Sequence, residues 1–136
     1  MVASKGKGKT KQEKYYKELT ASILNDEYCV HILLGDAGKA HRVLSKRYPD
    51  MFGVETLKSG RGYSFTYAET DPSIWTGLEP GDPHFYATLS HEAVHAIDHI
   101  FSMIQEKEAP EIYAHSVAAV IAKVEQWVKR QAGKKR

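Results

Sequence analysis

Sulfur is scarce in this chain: among its 136 residues there is one cysteine, Cys29. A single thiol excludes an internal disulfide framework and fits a reducing compartment. The sequence also lacks any apolar run of the roughly 18 residues a membrane-spanning helix needs. No apolar segment of the kind an export signal requires follows Met1. The expectation is a cytoplasmic protein without membrane association. Internal repeats are missing, which excludes a solenoid. A phosphate-binding loop is missing too. In "GDAGKAH" only two residues separate Gly35 from Gly38, and Ala40 follows Lys39 where such a loop places Ser or Thr.

Positive charge is unevenly spread. The chain is +2 overall, yet residues 1–14 hold five lysines against one glutamate and residues 129–136 hold five basic residues, so the remainder carries −7. An acidic body between basic ends predicts a single domain over 15–129, with a basic tail over 1–14 and another over 130–136. "SKGKGKTKQ" offers nothing apolar to bury and reads as a solvated tail. Weak nucleic-acid contact by counterion release is the functional alternative.

A hydrophobic content of 42% at this length supports one core. Tyr15, Leu19 and Ile23 recur four apart and predict an opening helix. "YCVHILLG" reads as a buried strand, and Asp36 as the cap of a helix that stops before Pro49. "FGVETLK" and "GYSFTYAE" read as strands around the turn "SGRG", with "SIWTGL" a short third. In "GYSFTY" the aromatics Tyr63, Phe65 and Tyr67 share one face, and that strand is the best candidate for pairing with an extended peptide. Asp82 and Pro83 predict the start of a helix running to about Glu106. Pro110 opens a last helix, Glu111 to about Lys129. The predicted class is α+β, a small mixed sheet backed by helices.

One helix is anomalous. Phe85, Leu89, Val94, Ile97, Phe101 and Ile104 read as core positions, yet "SHEAVHAIDHI" threads His91, Glu92, His95, Asp98 and His99 among them. Buried unpaired imidazoles and carboxylates cost several kcal/mol, so the stripe needs a partner or a cleft. His91 and His95 lie one turn apart, close enough to bind one zinc ion at about 2.1 Å from each ring. Glu92 follows the first histidine, where it can accept a proton from a water. This is H-E-x-x-H, the metallopeptidase motif. A catalytic zinc takes a third protein ligand. His99 lies another turn along, about 6 Å up the axis. The next helix offers Glu108, Glu111 and His115, of which Glu111 is favoured.

"HEAVHAIDHI" followed by "EIYAHSVAAVI" resembles a gluzincin arrangement. It is more closely similar to small zincin-like proteins of phage and prophage gene clusters, where a "GRG" strand and an "IW" strand precede the motif, as at Gly60–Gly62 and Ile74–Trp75. The resemblance implies a minimal zincin-like fold, with His91, His95 and Glu111 as zinc ligands and Glu92 as general base. The expectation is then one Zn2+ per chain and a peptide or protein substrate, with Tyr113 or His115 as candidate oxyanion stabilisers. The rival expectation is a zinc-holding phage structural or assembly protein without turnover. Cys29 reads as packing.

Overall fold

The computed structural model describes residues 15–49, 53–67, 69–104 and 110–134. The predicted tail over 1–14, Lys135 and Arg136 of the predicted C-terminal tail, and Glu108 lie outside them. Among the described residues, four strands and four helices follow one another as β1 (Tyr16–Ile23), β2 (Tyr28–Gly35), α1 (Ala37–Arg47), α2 (Val54–Lys58), β3 (Gly62–Phe65), β4 (Ser73–Thr76), α3 (Phe85–Ile104) and α4 (Pro110–Lys134). The class is α+β.

The opening segment is a strand, where helical spacing had been expected. A spacing of four is even, so Tyr15, Leu19 and Ile23 share one face of a strand as well as one face of a helix. Burial decides between them: Ala21 and Ile23 are buried while Thr20 and Ser22 are exposed. The hairpin is closed by Leu24, Asn25 and Asp26, all at positive φ, which brings Ile23 opposite Tyr28. Asn and Asp tolerate that conformation better than most residues.

"VETLK" is likewise a short helix and not a strand. Only Leu57 within it is buried, and a half-buried strand needs alternate residues inward. The strand after it ends at Phe65, leaving Tyr67 60% exposed. α1 fits expectation: Asp36 accepts from the Lys39 amide at 3.0 Å and the helix stops before Pro49.

The sheet order is β1-β2-β4-β3, with β2 and β4 parallel and the other pairs antiparallel. Alternation along the strands divides it into two faces. Val30, Ile32, Leu34 and Ile74 point to one face, where Phe85, Leu89, Ala93, Ile97 and Ile100 of α3 and Val120 and Val124 of α4 cover them. Leu33, Phe65 and Trp75 point to the other, beneath Ala40, Leu44, Tyr48 and Leu57. Three layers result, and each face has its own core.

α3 begins at Phe85, after a turn in which Asp82 Oδ1 accepts from the His84 amide at 2.8 Å, so regular helix starts just past the expected Pro83. α4 continues to Lys134, past the expected end near Lys129, so residues 130–134 are helical. Among the described residues no helix is long and apolar enough to cross a membrane.

Candidate metal and hydrolytic site

α3 sorts its residues by angle. Phe85, Leu89, Ala93, Ala96, Ile97 and Ile100 are fully buried. His91, His95 and Asp98 lie on the exposed side of the same helix. Val94, expected in the core, is 42% exposed between them. The polar stripe therefore escapes the desolvation cost that the sequence alone suggested, because it faces solvent. The two imidazoles stand one turn apart, with ring centroids 4.9 Å apart and planes at 76°.

Glu92 is the exception, only 7% exposed at the margin of the apolar stripe. It lies where α3 crosses β3, and the crossing is close because residue 62 is glycine. A Cβ there would come within 2.7 Å of Thr88 Cγ2, 3.0 Å of the Trp75 carbonyl and 3.4 Å of Glu92 Cγ. Ser64, two residues on along the same face of β3, hydrogen-bonds the Glu92 carboxylate. Burial raises the Glu92 carboxyl above the ordinary carboxylate range, against the opposing influence of His91, His95 and Ser64. Among the described residues β3 is one of the two edge strands of the sheet, beside β4.

The remaining expected residues are placed differently. Tyr113 donates its hydroxyl to the Val94 carbonyl at 3.0 Å, lies 3.5 Å from Asp98 Oδ1, and sets its ring edge-on to Phe101. That hydrogen bond pins α4 to α3. His99 Nε2 lies 3.2 Å from the Thr70 carbonyl and ties α3 to the loop before β4.

Glu111 and His115 pair with each other at 3.7 Å, 90% and 81% exposed. The buried residues of α4, Ser116, Val120 and Val124, turn the opposite side of the helix inward. Neither Glu111 nor His115 joins His91 and His95. The helical hairpin was anticipated but not which face of α4 it would bury.

Two solvent-open imidazoles at i and i+4 suit zinc, and His91 and His95 meet that requirement. A third protein ligand is not in place among the described residues.

A cluster that the sequence did not announce lies on the other face of the sheet. Among the described residues, the one group of three His, Cys, Asp or Glu side chains whose ligand atoms all lie within 4.8 Å of one another is Cys29, His31 and Asp71. Cys29 and His31, two apart on β2, share a strand face. That spacing was the available signal, but Asp71 arrives from a loop and had none. The Cys29 thiol donates to Asp71 Oδ2 at 3.3 Å and lies 3.7 Å from His31 Nε2, while the Cys29 amide donates to Asp71 Oδ1 at 3.3 Å. Burial, then the hydrogen bond and charge of Asp71, push the thiol up to about 11 despite Arg47. Cys29 is therefore no activated nucleophile. Burial and then Arg47 lower His31, which favours neutral imidazole.

No family model, curated protein or solved structure matches the chain.

Proposed function

We propose that this chain is a zinc-dependent peptidase of minimal zincin type, phage or prophage encoded, acting on an extended peptide or protein segment. The observation that carries the reading is the position of Glu92: buried under the edge strand, hydrogen-bonded to Ser64, and one residue from an exposed histidine pair. A buried carboxylate is costly, and a helix that needed only packing has no use for one at that crossing.

His91 and His95 would hold the ion. When bound, zinc acidifies water and polarises a carbonyl. Glu92 supplies the base, taking a proton from the attacking water and passing it to the leaving amine. Ser64 orients the Glu92 carboxylate, and the α3–β3 packing excludes solvent from one side of it. An extended substrate would lie along the solvent side of α3, with a peptide bond beside Glu92 and the histidine pair.

A second reading is supported by Glu111, which is exposed and paired with His115. With that carboxylate turned away, the histidine pair serves a zinc-holding phage structural or assembly protein that does not turn over. Glu92→Gln separates the two. It keeps size and hydrogen bonding but removes the base, so cleavage of an unfolded protein should fall by about 10²- to 10⁴-fold while zinc content stays equal. Wild-type protein that holds zinc and cleaves nothing supports the scaffold; a Gln variant as active as wild type overturns the catalytic role of Glu92.

A further inference from the structure

We propose that Cys29, His31 and Asp71 form a second metal site, for a thiophilic divalent cation of the zinc class, on the sheet face opposite α3. The site is independent of the histidine pair on α3 and of any peptidase activity.

Distance is the first argument. An ion bound tetrahedrally at about 2.0–2.3 Å from sulfur, nitrogen and oxygen sets its ligand atoms roughly 3.3–3.7 Å apart. Cys29 Sγ lies 3.3 Å from Asp71 Oδ2 and 3.7 Å from His31 Nε2, within that range. The His31 and Asp71 ligand atoms lie within 4.8 Å of each other, and closing that gap is the motion coordination requires.

The donor set is the second argument. Thiolate and imidazole select zinc and its neighbours over magnesium or calcium, which take oxygen ligands. The carboxylate then limits the charge: thiolate and carboxylate together match a divalent ion. Coordination displaces the thiol proton, now donated to Asp71, and releases it to solvent.

Rigidity is the third. Cys29 and His31 stand on a strand flanked by β1 and β4, and the His31 amide donates to the Pro72 carbonyl at 3.0 Å, which fixes the Asp71 loop against β2. The Cys29 amide holds Asp71 Oδ1, leaving Oδ2 for the ion. The Tyr48 hydroxyl adds a contact to the Asp71 carbonyl at 3.3 Å. All three ligands are half-buried, so a fourth position opens to water. The role assigned is a clip between β2 and the loop leading into β4.

The test uses the full chain, reduced with a phosphine, and Co2+ as probe. Cys29 is the only cysteine, so a near-ultraviolet sulfur-to-cobalt charge-transfer band reports this site alone. The band should saturate at one ion per chain, persist in His91→Ala/His95→Ala, vanish in Cys29→Ser, and be displaced by Zn2+. Asp71→Asn and His31→Ala should weaken Co2+ binding by at least about 10- to 100-fold, the range already seen when residues that merely support metal ligands are lost. Far-ultraviolet circular dichroism verifies that each variant is folded. Absence of the band at saturating Co2+ overturns the proposal. So does a band unchanged in both Asp71→Asn and His31→Ala, which would mark a thiol binding cobalt by itself, or one saturating at half an ion per chain, which would mark two chains sharing it.

Discussion

The two faces of the sheet treat their polar residues in opposite ways. Toward α3, the histidines stand in solvent and a single carboxylate, Glu92, is drawn under the edge strand with Ser64 as its partner. Toward α1, polar groups from three elements are bound to one another: Tyr48 contacts the Phe65 carbonyl, the Asp71 carbonyl and Ser73, while Arg47 donates to Ser73 at 3.0 Å. The first arrangement leaves side chains available. The second satisfies them in place. A group meant to meet a substrate has to stay partly unsatisfied, whereas a group that fixes a loop does not.

The sharpest way to break this contrast is at Gly62. Gly62→Val forces β3 away from Thr88 and the Trp75 carbonyl, and overpacking of this kind costs about 1–3 kcal/mol. Urea denaturation should show the loss, and turnover should fall with it because Glu92 loses its cover. Gly81→Ala, with open space around its Cβ, should leave both unchanged.

Tyr48→Phe probes the other face. Removing a hydroxyl that meets the Phe65 and Asp71 carbonyls should lower stability by roughly 1–2 kcal/mol. It should weaken Co2+ binding at Cys29 and leave the α3 site untouched. An equal loss at both sites would show that the faces are not separable.

A gentler effect comes from pH. The carboxyl of Glu92 sits above its ordinary value of 4.5 in the folded protein, so the folded state holds its proton longer than the unfolded chain. Its contribution is intact below about that value and is lost as pH rises through the folded value. Metal-free Glu92→Gln does not titrate there, so its melting temperature should be close to wild type at low pH and should exceed it increasingly as pH rises. A gap that closes with rising pH would contradict a buried Glu92.

The smallest expected change is at Glu111. With its carboxylate on the outer side of α4, Glu111→Gln should leave zinc affinity at the histidine pair unchanged by equilibrium dialysis. A marked fall would mean that the first turn of α4 swings inward on binding.

These contrasts also mark how far the sequence could be read. His91, Glu92 and His95 belong to one helix, and helical spacing alone fixes their relation, so that part of the site was legible. The side of α4 that turns inward depends on Ser116, Val120 and Val124 meeting the core, and a Glu-x-x-x-His pair carries no sign of it. The β1 hairpin was obscured because a four-residue spacing satisfies both helix and strand. Asp71 joins β2 only through the parallel pairing of β2 with β4, a relation between segments forty residues apart that no local pattern encodes.

That pairing has a consequence for how the molecule tolerates change. β4 is only four residues long and buried on both sides, with Ile74 and Thr76 turned one way, Ser73 and Trp75 the other. It acts as a shared ruler for both clusters. Shortening the preceding loop by one residue, if it pulled β4 along by one position, would reverse the two sets and misalign Ser64 with Glu92 and Asp71 with Cys29 in a single event. Side chains at either cluster can be exchanged one at a time, but the length of the path into β4 is a common inheritance that neither cluster can alter alone.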